Sequence, residues 1–324
     1  MRIIRGLRGL KHPIKASAVT IGSFDGVHIG HKKIIGSVVA CARRKGIEAV
    51  VVTFDPHPSK VLSPSKNAPS LISLEHRLDL FKRLGVDTTV VINFAKPFAR
   101  MSPESFVRKI LIDSLGARFI FTGENFYFGN SASAGCRALN KIAGPYGVKV
   151  TSVSPVKVSG ETVSSSLIRK YIISGELEKA RRFLGRPVSI LGTVIPGARF
   201  ARTLGYPTAN INPHHEVIPP TGVYAVKVCL GKVLRGGVLN IGKRPTFYAP
   251  RDEEPDIEAH IFDFKSKIYG KEIEVYFIRK IRDEKRFRGA EDLVRQIKKD
   301  TGLALQMMKN MIPYQNNKLR KGKV

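Results

Sequence analysis

The ten residues Gly22-Ser-Phe-Asp-Gly-Val-His-Ile-Gly-His31 constrain this chain more than any other stretch. A β-branched run, Ala18-Val-Thr-Ile21, leads into them, and a helix-like segment over 32–44 follows. A strand, a glycine turn and a helix in that order aim backbone N–H groups and a helix dipole at phosphate. His28 and His31 stand at i and i+3 of the helix entrance, so both imidazoles share one face. A bare G-x-x-x-G carries little weight by itself. Here Asp25, His28, Gly30 and His31 crowd one strand-to-helix corner, the edge at which open α/β sheets bind ligands.

Two imidazoles that donate hydrogen bonds at such a corner suit the charge that builds on a nucleotide α-phosphate under attack. The corner therefore reads as a nucleotidyl-transfer site, with Gly22, Phe24, Asp25 and Gly30 shaping it.

The pattern around the corner predicts an α/β domain. Apolar runs over 47–54, 86–92, 118–122 and 148–153 alternate with helical periods such as 74–84, where Leu74, Leu78, Phe81 and Leu84 form one stripe. Ser102-Pro103 opens another helix as cap and first position. Two more helices are expected near 164–174 and 175–184, with Gly175 and Gly185 as stops. Strands alternating with helices imply a parallel, Rossmann-like sheet covered on both faces. After Gly185 the grammar changes. Strand-like segments at 188–195, 223–230, 233–241, 257–262 and 271–278 follow one another without long helices, which suggests a small antiparallel barrel. A closing amphipathic helix from Ala290 to about Met311 is expected to pack through Leu293, Ile297, Leu303 and Met307. The domains are thus expected at 1–185 and 186–324.

Composition narrows the class. No stretch approaches the ~20 apolar residues of a membrane span, and the basic N-terminus lacks the apolar run of a secretory signal. Three scattered cysteines form neither a disulfide framework nor a zinc site, so a reducing cytoplasm is expected. The net charge of +29 is spread over both halves: 29 Lys+Arg against 12 Asp+Glu in 1–185, and 26 against 14 in 186–324. Diffuse charge without interleaved aromatics reads as a solvated surface rather than a specific nucleic-acid interface.

Other chemistry-bearing pieces fall near strand ends. Thr53-Phe-Asp-Pro-His-Pro58 is a rigid loop whose Phe54 and His57 offer a stacking surface. In Gly123-Glu-Asn-Phe-Tyr-Phe-Gly129, Asn125 can both donate and accept, while Phe126 and Phe128 read as core. Ser164, Ser165 and Arg169 read as a second phosphate clamp, a serine-rich cap followed by a guanidinium fork. In the second half, Thr208 and Asn210 point the same way if extended and offer hard oxygens to a magnesium ion held largely by water and ATP. The segment 240–247 reads as a flap. Glu258 and His260 share one strand face, opposite Ile257 and Ile261, and Glu258 is a candidate general base.

With these pieces in place, the chain resembles the bacterial bifunctional riboflavin kinase/FMN adenylyltransferases, also called FAD synthetases, over nearly its whole length. GSFDGVHIGH, TFDPHP, GENFYFG and SSSLIR occur in the family's order, followed by TLGYPTANI, PPTGVYAV, NIGKRPTF, IEAHIFDF, YGKEIEV and IRDEKRF. The resemblance implies ATP- and Mg2+-dependent conversion of riboflavin to FMN at a C-terminal kinase barrel. It further implies adenylylation of FMN to FAD, with release of pyrophosphate, at an N-terminal HIGH-motif domain. By resemblance, His28 and His31 steady the ATP phosphates, and Asn125, Ser164, Ser165 and Arg169 make other ATP and flavin contacts. Thr208 and Asn210 correspond to the magnesium pair, and Glu258 to the carboxylate that takes the proton from the riboflavin 5′-hydroxyl. Gly22, Phe24, Phe54, Arg202, Asn240 and Arg244 complete the expected nucleotide- and flavin-binding set. Three positions depart from the family pattern: Ser166 for threonine, Pro196 for histidine and Ala201 for glycine. The added methyl of Ala201 is expected to weaken ATP binding in the kinase half.

Other readings compete with this one. In one, only the adenylylating half is active. In another, the chain is a basic nucleic-acid-binding member of the HIGH-motif superfamily. Its His-Ile-Gly-His is shared with class I aminoacyl-tRNA synthetases, but the chain lacks a KMSKS-like loop and has a barrel in place of anticodon-binding helices.

Overall fold

The computed structural model describes residues 1–6, 9–10, 12–66, 68–130, 133–197, 204–214, 217–242 and 255–309. The chain divides into two compact units. One comprises Met1–Arg169 with Arg182–Gly185, the other Lys170–Arg181 with Arg186–Val324.

The first unit is built on a six-stranded sheet, β1 (Arg2–Arg5), β2 (Ser17–Ile21), β3 (Glu48–Asp55), β4 (Thr88–Asn93), β5 (Ala117–Gly123) and β6 (Lys149–Val153). Its order is β1-β4-β3-β2-β5-β6, and every pair is parallel. The chain moves outward from β2 in one direction through β3 and β4, then returns to the other side of β2 for β5 and β6. The carboxyl ends of β2 and β5 therefore flank a topological switch point, where such sheets open a crevice. All five residues of β2 are buried, as expected for a strand covered on both faces. On one face Val19, Ile21, Val50, Val52, Val90 and Ile92 join a core with Phe106, Ile110 and Leu111.

Helix α1 (Ile29–Lys45) packs on β2, β3 and β5, and ends at Gly46 in the left-handed region. Helix α2 (Leu74–Arg83) starts at a Ser73 cap that accepts from the His76 N–H. Ser102 caps the next helical stretch as expected, but from Phe106 to Ser114 the backbone widens into a π-helix. Two short helices, α3 (Ser165–Ile173) and α4 (Leu177–Leu184), precede the barrel strands in sequence, and Gly175 and Gly185 sit at φ 78° and 63°.

The second unit is a closed antiparallel barrel of β7 (Ser189–Ile195), β8 (Thr208–Pro213), β9 (Gly222–Leu230), β10 (Val233–Gly242), β11 (Asp256–Ile261) and β12 (Glu272–Arg282). The barrel order is β7-β8-β11-β10-β9-β12, with β12 closing on β7. Strand β8 is not among the strand-like segments that the sequence pattern predicts. Helix α5 (Ala290–Lys309) packs on β9, β10 and β12. Its fully buried positions are Asp300 and Ala304, and the four expected apolar residues are only half-buried. Asp300 accepts from the Arg282 guanidinium at 2.9–3.2 Å and from Gln296 at 2.9 Å, so an ion pair joins the helix to β12. Among the described residues no helix is long and apolar enough to cross a membrane.

Candidate active sites

In the first unit the turn after β2 is bent hard. Phe24, Gly26 and Val27 all lie at positive φ, 50°, 80° and 40°. A β-branched residue rarely adopts that region, so Val27 marks backbone strain of the kind found at functional corners. His28 then caps α1, its Nδ1 accepting from the His31 N–H at 3.3 Å. The two imidazoles stack at 3.5 Å and 18°. A Cβ on Gly30 would stand 3.2 Å from the His28 ring, so only glycine leaves that ring its present place. Phe24 is buried and meets His31 edge-on at 5.3 Å. His31 Nδ1 is buried without a hydrogen-bond partner among the described residues. Burial first, then the charges of His28 and Arg77, hold the His31 pKa well below 6.5. The imidazole is therefore neutral at pH 7.

Asp25 gathers the remaining pieces of this corner. Its Oδ1 accepts from the N–H of Leu71 (2.8 Å) and Ile72 (3.4 Å), and its Oδ2 from Arg169 at 3.0 Å. Burial pushes its pKa up, against the pull of Arg169 and of these N–H groups. Ser165 Oγ donates to the Asp25 carbonyl at 2.9 Å, and Arg169 Nε donates to the Pro69 carbonyl at 2.7 Å. Ser164 Oγ accepts from the Leu167 N–H as a helix cap. The serine–arginine segment thus lies directly on the histidine turn. Its arginine is already engaged with a carboxylate and a carbonyl.

Other expected residues of this unit scatter around the same sheet edge. Asn125 is exposed in the turn after β5. The Phe54 ring joins Phe94 and Phe98 at 5.4 and 6.1 Å, while Phe128 lies in the core with Phe126 stacked on it. His57 caps a short helix and bonds Ser59, and burial with nearby cations lowers its pKa to about 4. Arg77 is a residue that the sequence reading missed. It is buried on α2 and donates to the carbonyls of Ser23 and Phe54, the latter at 3.1 Å. The signal was an arginine placed at i+3 from Leu74 and i−4 from Phe81, on the apolar stripe itself.

In the barrel, pairing register assembles the second site. Glu258 on β11 lies opposite Asn210 of β8 on one side and Asn240 of β10 on the other. Directly opposed residues project from the same face, so the three side chains form a row. Ile257, Ala259 and Ile261 take the buried face, and Glu258 with His260 the half-buried one. Burial raises the Glu258 pKa and Asp256 adds to the rise, while a hydrogen bond with Thr208 opposes it. His260 bonds the Pro207 carbonyl at 3.0 Å through Nδ1. Thr208 and Asn210 line a cavity of about 360 Å3 with Gly197, Pro207, Lys265 and Lys267, a size typical of small-molecule sites. Gly197 touches Asn210 so closely that a Cβ there would fall 2.0 Å from its Nδ2. The two lysines were not singled out from the sequence, since a lysine in a turn between strands is usually solvated. Arg202 and Arg244, with Ala201 and the flap residues 243–247, lie outside the described residues.

Comparisons with known proteins match both halves of the chain. A family model described as FAD synthetase matches residues 11–167, and one described as riboflavin kinase matches residues 184–308. A bifunctional riboflavin kinase/FMN adenylyltransferase from Bacillus subtilis is 37% identical over 305 residues, 93% of this chain and 96% of the relative. The protein of the same name from Listeria monocytogenes is 38% identical, over 90% of this chain and 94% of the relative. A crystal structure described as a macrolide-efflux protein from Streptococcus pneumoniae has a TM-score of 0.81 at 30% identity, covering 94% of this chain and 99% of that one. Matched in both halves and along nearly its full length, the chain belongs to the bifunctional riboflavin kinase/FMN adenylyltransferase family.

Proposed function

We propose that the chain phosphorylates riboflavin to FMN at the barrel and adenylylates FMN to FAD at the histidine corner, with 1–185 and 186–324 as the respective domains. The observation that carries this reading is the presence of two separate polar constellations, one in each unit. In the kinase step Glu258 accepts the proton of the riboflavin 5′-hydroxyl as that oxygen attacks the γ-phosphorus of ATP and ADP leaves. Its half-buried place beside Thr208, Asn210 and Asn240 suits a general base. The neutral oxygens of Thr208 and Asn210 fit a magnesium ion bound mainly through ATP phosphates and water, and Lys265 and Lys267 suit the phosphates themselves.

In the adenylyl step an FMN phosphate oxygen attacks the α-phosphorus of ATP and pyrophosphate leaves. The neutral His31 imidazole and the His28 ring, at the N-terminus of α1, donate to the charge that develops there. Arg169, Ser164, Ser165 and Asn125 border the same edge. Three free, scattered cysteines fit a reducing, cytoplasmic setting. The test is incubation with riboflavin, ATP and Mg2+ followed by chromatographic separation of the flavins. FMN followed by FAD is expected, and a reaction mixture left at riboflavin overturns the reading.

A further inference from the structure

Arg77 has no part in the chemistry above, yet its surroundings are unusual for an arginine. It is 6% exposed, on the same stripe as the buried Leu74, Leu78 and Phe81. Guanidinium keeps its proton in proteins, so a full positive charge is held inside the unit. Such a charge is costly unless paired. Asp25, Asp55 and Glu75 attract it from a distance, but among the described residues none forms an ion pair with it. The Asp25 oxygens are taken by Arg169, Leu71 and Ile72. Among the described residues, Arg77 Nε is buried without a hydrogen-bond partner.

Its two hydrogen bonds go instead to main-chain carbonyls at the ends of β2 and β3. One is that of Ser23 and the other that of Phe54. The Ser23 carbonyl belongs to the peptide that enters Phe24, the first residue of the turn at positive φ, and Thr53 Oγ1 donates to it as well at 3.3 Å. One helical turn beyond Arg77, Phe81 meets the Phe24 ring edge-on at 5.7 Å. Helix α2 thus grips Phe24 twice, through its backbone and through its ring. Phe24 in turn meets the His31 imidazole.

We infer that Arg77 is a positioning residue for adenylyl transfer, its guanidinium fork fixing the Ser23–Phe24 peptide so that Phe24 holds His31 toward the reacting phosphate. This rests on the reading of the histidine corner as the adenylyl site. The fork matters because a lysine ammonium is a point donor and cannot reproduce two fixed bonds. The groups whose charge acts on His31 are His28 and Arg77, so loss of the cation also releases part of the restraint on that ring.

The test uses the full-length protein with Arg77→Lys and Arg77→Met, alongside His31→Ala. Steady-state FMN adenylylation is measured with riboflavin phosphorylation in the same preparation as an internal control. The His31 ring is titrated by NMR. Arg77→Lys should lower the adenylylation kcat about tenfold or more, the scale of a misplaced catalytic group, with both KM values within about twofold. Phosphorylation should be unchanged. Arg77→Met should lose at least as much, and its His31 should titrate at higher pH than in the parent. Wild-type adenylylation by both Arg77 variants, with His31→Ala inactive, overturns the inference alone. A loss that only tracks the folded fraction, with normal turnover per folded molecule, also overturns it, since the role is then structural. Retention of adenylylation by His31→Ala overturns the reading of the corner and this inference with it.

Discussion

Asp25 and Arg169 stand 144 residues apart in the chain and 3.0 Å apart in space. Their side chains are 6% and 14% exposed, so the pair is largely removed from water. It joins the turn that carries the histidines to the serine–arginine segment, two pieces that the sequence offered as separate phosphate-binding motifs.

Removing one partner of this pair leaves the other buried and unmatched. Asp25→Ala should destabilise the first unit by about 3 kcal/mol, the low end of the 3–5 kcal/mol typical of broken buried pairs, because Arg169 keeps its bond to Pro69. The check is denaturant unfolding followed in the full chain. A midpoint unchanged from wild type would mean that the pair does not hold the corner together.

Gly30 tests the histidine geometry with one carbon atom. In Gly30→Ala the new Cβ would press on His28 Cε1 and Nδ1 from 3.2 Å, and a helix entrance tolerates alanine otherwise. Adenylylation should fall roughly 10–100-fold, as expected for a small misplacement of a catalytic group, while riboflavin phosphorylation stays normal. Parent-like FAD formation would show that the present seat of the imidazole is unimportant.

Glu258 makes a paired forecast about pH and stability. A general base works only when ionised, and burial and Asp256 raise its pKa. Kinase activity should therefore fall, with decreasing pH, above the usual carboxylate range. Asp256→Asn should move that limb to lower pH. For an acid whose folded pKa is raised, the neutral form favours the fold, and that contribution is lost as pH rises through the folded pKa. Glu258→Gln should thus raise the thermal midpoint of the barrel at neutral pH while cutting kinase kcat about 10²–10⁴-fold. A lowered midpoint would contradict the assigned burial.

Much of this was legible from local pattern. Strands β3 to β6 carry their β-branched runs openly, and the ten-residue histidine turn lies where its sequence placed it. Strand β1 escaped notice because Arg2-Ile-Ile-Arg5 is short, and only Ile4 turns inward. Strand β8 hid behind Thr208 and Asn210, whose polar side chains look like loop chemistry until the register with β11 is known. Arg77 and Asp300 are charged residues on buried helix faces, and periodicity alone assigns such positions to apolar side chains. The partner that makes each tolerable, two carbonyls for one and Arg282 for the other, comes from a distant part of the chain. The row Asn210–Glu258–Asn240 was invisible for the same reason.

The two proposed chemistries are assigned to two different units. One comparison tests this assignment most directly: Glu258→Gln and His31→Ala, each supplied with ATP and Mg2+ and either riboflavin or FMN, with the flavins separated by chromatography. Glu258→Gln should convert FMN to FAD at the wild-type rate but leave riboflavin largely unreacted. His31→Ala should convert riboflavin to FMN and stop there, with FAD formation reduced about 10²–10³-fold, the scale of a lost transition-state donor. Equal loss of both steps in either folded variant would contradict the account.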